Sequence, residues 1–266
     1  MPFSTRNGPK IHYEVHGEGP PMVLVHANPF DRRLWLYQVA RYSAFYRVIA
    51  VDLRAYGHSD RPETPFTLAD LKNDVLGVCA DEGVEKAIFM GVSVGSGVAM
   101  LTALDHPEKC EAIVLVGGSP DGPRNVEDIV AGVRQATLAD DLMRVMRGYV
   151  APGFADTTHG HWLLSLFTER AGDMSAKSVA QVFRARASLD MSPRLPGMKV
   201  PTLVVNGAHD NSLTRGGITA SLVPGAKHAV LPNTGHACVL EDPDAFDRHV
   251  IAFLSGLGLW RGKAAA

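Results

Sequence analysis

Seven short apolar runs punctuate this chain, and helical patterns fill most of the intervals between them. Met22–His26, Val48–Val51, Ala87–Met90, Ala112–Val116, Thr202–Val205 and Ala229–Leu231 are brief and rich in β-branched residues, as strands buried on both faces should be. Ile11–His16 alternates instead and reads as a half-exposed edge strand. Leu68–Ala80 reads as a helix opened by a capping box, Thr67-Leu-Ala-Asp70. Ser96–His106 reads as a second helix, ended by Pro107. Pro243–Leu254 carries apolar residues at 246, 250, 253 and 254, one face of a third. Strand alternating with helix predicts an α/β fold with a mostly parallel central sheet and helices on both faces. The rhythm breaks once. From about Pro120 to Leu195 no strand is predicted, while Ile129–Val150 and Ser175–Leu189 read as helices separated at Pro152-Gly153. We therefore expect a core domain of residues 1–119 and 196–266 and an all-helical cap insertion of residues 120–195. Placed at the carboxyl ends of the strands, such an insert roofs a crevice.

The run that ends in Met90 leads into Gly91-Val-Ser-Val-Gly95 and then into a helical stretch. This is G-x-S-x-G in its strand–turn–helix setting, which projects Ser93 above the sheet. So tight a turn leaves no room for side chains two residues before and two after the serine. Taken alone the pattern is weak, because serine also favours helix N-caps and a glycine-rich turn can cradle a phosphate. A serine hydroxyl needs a base, and the base needs an orienter. His236 follows the last predicted strand, with Gly235 before it to free the turn, and Asp210 follows the strand before that. Nucleophile, acid, histidine is the order Ser93, Asp210, His236. Asp121, after Ala112–Val116, is the rival acid. Asp52 and Arg54 read as residues that fix a loop, with Gly57 as its turn.

Jointly, His26-Ala-Asn-Pro29 with Trp35, Asp52-Leu-Arg-Ala-Tyr-Gly-His-Ser-Asp60, Gly91–Gly95, Gly207–Asp210 and Gly235-His236 resemble the α/β-hydrolase-fold superfamily over roughly residues 8–256. The chain looks most like small serine esterases and enol-lactone hydrolases with a helical cap. That resemblance implies the α/β-hydrolase fold and an oxyanion hole made by the backbone N–H groups of Asn28 and Val94. It also implies an acyl-enzyme on Ser93. The departures are His26-Ala27 and Arg54-Ala55, where glycine is usual second, and Ser96, which displaces the next glycine to Gly97. Alanine at 55 is expected to avoid positive φ. His26-Ala-Asn-Pro29 with Trp35 is also similar to haloalkane dehalogenases, but their aspartate–tryptophan pair is replaced here by Ser93 and Val94.

The function expected is hydrolysis of a carboxylic ester or lactone of a small, partly apolar molecule, with no cofactor and no metal. The alternatives are a carbon–carbon bond hydrolase or a perhydrolase using the same three residues, or a non-catalytic ligand-binding protein. A net charge of −2 offers no field for nucleic acid or anionic membrane, and the Arg-rich 120–195 segment balances its cations with acids. Gly95-Ser-Gly97 lacks the third glycine of a dinucleotide fingerprint, since position 100 is Met. His159 and His161 have no ligand-spaced partner and read as surface residues, while Cys238 reads as buried and inert. The first residues carry no signal-peptide pattern and no apolar run reaches the roughly 20 residues of a membrane span. With three scattered cysteines, a cytoplasmic protein is expected. The oligomeric state stays open, a homo-oligomer included.

Overall fold

The computed structural model describes residues 2–133, 139–169 and 171–262. Eight strands, β1 (Phe3–Ser4), β2 (Ile11–His16), β3 (Pro21–Val25), β4 (Arg47–Val51), β5 (Ala87–Val92), β6 (Cys110–Val116), β7 (Thr202–Gly207) and β8 (Lys227–Leu231), form one sheet. Its order is β1-β2-β4-β3-β5-β6-β7-β8. Only β1–β2 and β2–β4 pair antiparallel; every other neighbour is parallel. This is the α/β-hydrolase fold.

Side chains of successive residues point to opposite faces of a strand, and both faces of the central strands are buried. Val23, Val25, Phe89, Ile113 and Leu115 join one apolar cluster, while Met22, Leu24, Met90, Val114 and Val116 join the other. Helices α1 (Leu36–Tyr42), α9 (Cys238–Glu241) and α10 (Pro243–Gly256) cover the second face through Tyr42, Leu240, Phe246 and Val250. Helices α2 (Leu68–Asp81) and α3 (Val94–Asp105) cover the first through Leu71, Val75 and Val98. α8 (Leu213–Leu222) lies between β7 and β8 along the chain. Thr67 and Asp70 make the expected capping box at the start of α2.

Two strands differ from expectation. β2 is not the edge: β1 pairs with it at Ile11 and His12, so its first half is buried, and only its far half is partly open. The true far edge is β8, which alternates exposed and buried rather than being covered on both faces. Four helices escaped the sequence reading: α1, α8, α9 and Thr158–Thr168, which lies between β6 and β7.

Between β6 and β7 the described residues hold no strand. They form α4 (Val126–Val133), α5 (Ala139–Arg147), α6 (Thr158–Thr168) and α7 (Ala176–Ala187). The single helix expected at Ile129–Val150 is represented by parts of α4 and by α5, and its middle, 134–138, lies outside the described residues. Met146, Leu164 and Phe167 pack into the second cluster, and Phe30 meets Phe167 edge-on at 4.8 Å. Val179 and Val182 pack into the first cluster. Trp162, in contrast, is exposed.

Topology sets the place of the site. After β3 the chain crosses to β4 on one side, and after β5 it crosses to β6 on the other. Connections that leave in opposite directions open a crevice at the carboxyl ends of the two strands between them. Asn28 follows β3 and Ser93 follows β5.

Candidate active site

Ser93 stands between β5 and α3 with φ 55° and ψ −110°, a backbone conformation that costs an L-residue roughly 1–3 kcal/mol. The flanking glycines are required for distinct reasons. A Cβ on Gly91 would strike the carbonyl of Gly95 across the turn, and one on Gly95 would strike the carbonyls of Val25 and His26 at the end of β3. Ser96, the departure from the usual pattern, sits wholly buried with its hydroxyl 2.7 Å from the Gly91 carbonyl and 2.8 Å from that of Val116. It ties the turn to both strands. Val94 opens α3, where first-turn N–H groups have no intrahelical acceptor.

Asp210 and His236 come from the loops after β7 and β8. His236 Nδ1 lies 2.8 Å from Asp210 Oδ1. An ionised carboxylate only accepts, so the ring donates from Nδ1, and in its neutral form this leaves Nε2 as an acceptor. Asp210 also receives the Ser212 N–H at 2.7 Å, the Ser212 hydroxyl at 2.8 Å and the Asn206 amide at 2.9 Å. Burial alone would raise the Asp210 carboxyl, but the His236 hydrogen bond and charge, with the Ser212 and Asn206 donors, outweigh it and hold the pKa at about 2. The acid stays ionised at every working pH. Asp121 is occupied elsewhere, pairing with Arg215 and accepting from the Ser119 hydroxyl at 2.9 Å.

A cavity of about 250 Å³ opens above the sheet, and Asn28, Ser93, Val94 and His236 all line it. Gly148, Tyr149, Phe183 and Arg186, from the helical segment, line it as well. Among the described residues no hydrogen bond joins Ser93 Oγ to the His236 ring; the two share the cavity wall. Such bonds are often long or misaligned before substrate arrives and tighten in the complex.

Several supporting residues were not legible beforehand. Gly117, at the end of β6, has φ 59°, and a Cβ there would lie 2.5 Å from His236 Cε1 and 2.8 Å from Nδ1. Gly117→Ala is therefore expected to push the imidazole aside and lower kcat by about 100-fold, since displacing a reacting group by an ångström has that order of effect. Steady-state kinetics beside a melting curve check it; unchanged kcat would show that the ring tolerates the methyl. Tyr149 packs against the imidazole too, its ring centroid 5.5 Å from that of His236. Gly235 is not the free hinge expected. Its φ is not positive; instead the backbone of Val150 and Ala151 packs so closely that a Cβ would come within 2.6 Å. Glu241 fastens the same junction, accepting the Gly235 N–H at 2.8 Å and the Ala151 N–H at 2.7 Å.

The loop under Asn28 is held by buried polar residues. Leu53 N–H donates to His26 Nε2 at 2.9 Å, so His26 carries its proton on Nδ1, 2.9 Å from the Ala27 carbonyl. Asp52 takes the Arg32 N–H at 2.9 Å and His12 Nδ1 at 2.8 Å, and Arg54 pairs with Asp74 at 2.6 and 2.7 Å. Both fix the loop, as expected. Ala55 adopts the positive φ it was expected to avoid, 82°. Its N–H donates to the Asp60 carbonyl and its methyl is fully buried, which offsets the roughly 1–2 kcal/mol of left-handed strain. The Tyr56 hydroxyl donates to the Asn28 side-chain oxygen, which fixes how that amide is turned.

His159 and His161 are exposed, and among the described residues no group of three or more His, Cys, Asp or Glu is placed to hold a metal. Cys238 is fully buried, and burial pushes its thiol well above the ordinary range. No described helix is long and apolar enough to cross a membrane.

Known proteins place this fold. The chain is 28% identical to a pimeloyl-[acyl-carrier protein] methyl ester esterase of Pectobacterium atrosepticum over 91% of its own length and 98% of that protein's. A 3-oxoadipate enol-lactonase of Acinetobacter baylyi is 24% identical, with 92% of each chain covered. Among solved structures, the enol-lactonase from Burkholderia xenovorans LB400 superposes with a TM-score of 0.88 at 27% identity, covering 96% of this chain and all of that one. These relatives are esterases and lactonases. The alpha/beta hydrolase family model matches residues 22–248, most of the chain, and the protein belongs to that family.

Proposed function

We propose that this protein is a serine hydrolase that cleaves a carboxylic ester or lactone of a small, partly apolar molecule through an acyl-enzyme on Ser93. The observation that carries the reading is the Asp210–His236 hydrogen bond, with the His236 ring on the wall of the same cavity as the strained Ser93 turn. Relatives that act on esters and on a lactone support the reaction class.

In this mechanism His236 Nε2 takes the Ser93 proton while Oγ attacks the substrate carbonyl. The backbone N–H groups of Asn28 and Val94 receive the developing oxyanion; removing one such donor typically costs about 10²–10³ in rate. His236 then gives the proton to the leaving alkoxide. A water, activated by the same ring, releases the acid and regenerates the serine. Asp210 remains ionised throughout and stabilises the imidazolium. No cofactor takes part. Residues 120–195 act as a cap whose Tyr149 and Phe183 give the cavity its apolar wall. The three buried, unbridged thiols of Cys79, Cys110 and Cys238 fit a reducing, cytoplasmic setting.

The test is product analysis over esters of graded acyl length and lactones of graded ring size. Acid and alcohol in equal amounts, or a hydroxy acid from a lactone, is the expected result. Acid with a new C–H bond, or peracid formed only with peroxide, would favour the other chemistries on these residues. No turnover, with a small ligand strongly raising the melting temperature, would favour a binding protein.

A further inference from the structure

The cavity wall contains a cation that no described carboxylate contacts; Asp190 acts on it only through space. Arg186, in the last turn of α7, is 6% exposed and lines the same cavity as Ser93 and His236. One of its terminal nitrogens, Nη2, donates to the Ser119 backbone carbonyl at 2.5 Å. The other, Nη1, is buried without a hydrogen-bond partner among the described residues. Nor does any described carboxylate lie within ion-pair distance of the guanidinium. The neighbouring Arg215 is different, because Asp121 neutralises it.

Burying a charge without a partner costs several kcal/mol, so an unpaired buried cation calls for an explanation. Holding one backbone carbonyl needs only a neutral donor. The fold also makes room for this particular side chain. Arg186 lies across α3 at Gly97, where a Cβ would come 2.9 Å from its Nε and 3.0 Å from its Cδ. Gly97 is the glycine displaced by one position from the usual hydrolase pattern. Gly122 lies equally close to the backbone of Arg186 and Ala187, so the loop after β6 closes tightly around the residue. A guanidinium presents its donors as a planar fork matched to a carboxylate.

We propose that Arg186 anchors a carboxylate, and that the ester or lactone cleaved at Ser93 carries a free carboxylate elsewhere in the same molecule. The inference rests on the hydrolase reading and adds the substrate's charge to it. Burial, opposed by the charge of Asp190, lowers the Arg186 pKa only to about 10, so the anchor is charged at neutral pH. A bound carboxylate supplies the counter-charge and the acceptor that Nη1 lacks.

The experiment pairs esters with an identical reacting group: mono-p-nitrophenyl succinate, glutarate and adipate, each against its methyl-capped counterpart. At the chain length that spans the cavity, the free acid is expected to exceed the capped ester by about 10–100-fold in kcat/KM, the range of a hydrogen bond to a charged group. The difference should fall mainly in KM. Arg186→Met should bring that ratio close to one, and Arg186→Lys should retain part of it. A ratio near or below one at every chain length in the wild-type enzyme overturns the proposal, as does an unchanged ratio in Arg186→Met. Because Arg186→Met removes buried packing, calorimetry on the wild-type protein provides a second reading. Glutarate or adipate should bind at least 10-fold tighter than the corresponding diamide, and equal or absent binding of both contradicts the anchor. If no ester in any pair is hydrolysed while the dicarboxylate still binds, the anion site stands and the hydrolase reading fails.

Discussion

Ser93→Ala is expected to lower kcat for p-nitrophenyl esters by about 10⁶-fold, the size of effect seen when the nucleophile of such a set is removed. The fold should survive the change. The hydroxyl has no partner to lose in the described hydrogen bonding, and the turn is held by Gly91, Gly95 and Ser96. Alanine inherits the same unfavourable φ of 55° at no greater cost. A variant with an unaltered melting curve and no turnover separates chemistry from stability. Residual turnover within tenfold of wild type would mean that another group attacks the ester.

Asp210→Asn should follow, with a loss of about 10⁴-fold in kcat. An asparagine offers its amide donor toward His236 Nδ1 as readily as its oxygen, so the imidazole can settle with its proton on the wrong nitrogen. The surrounding donors make the exchange worse. Ser212 N–H, the Ser212 hydroxyl and the Asn206 amide all point at this carboxylate, and a neutral side chain with one acceptor oxygen leaves some of them unpaired. Asp121→Asn is the matched control, expected to stay within about tenfold of wild type because its carboxylate is paired with Arg215 rather than with the imidazole. A larger loss in Asp121→Asn than in Asp210→Asn would move the acid from β7 to β6.

Much of this architecture is written locally. The β-branched runs read correctly as parallel strands because each central strand is buried on both sides by helices, and burial on both sides removes alternation. What failed was non-local. Nothing in Ile11–His16 announces that two residues near the start of the chain will cover half of it. Lys227–Leu231 hides its edge position until its neighbours are known. α1 and α8 are short helices whose apolar faces are narrow, so their periodicity is faint.

The same division holds at the site. Ser93, Asp210 and His236 were legible because each follows a strand within a recognisable turn. Gly117 was not, and neither were the reasons for Gly235 and Gly97, because what demands glycine there is a side chain or backbone from a distant segment: the His236 ring, Val150–Ala151 and Arg186. Ala55 was misjudged for the same reason. Its φ is imposed by the Asp60 carbonyl and by full burial of its methyl, neither of which the local sequence reveals.

The most direct test of the central claim is to treat the protein with a fluorophosphonate and map the adduct by peptide mass spectrometry. A single phosphonylated residue at Ser93, formed far more slowly in His236→Ala and absent from Ser93→Ala, is the predicted result. An adduct at any other side chain, or undiminished labelling of Ser93→Ala, would contradict the account.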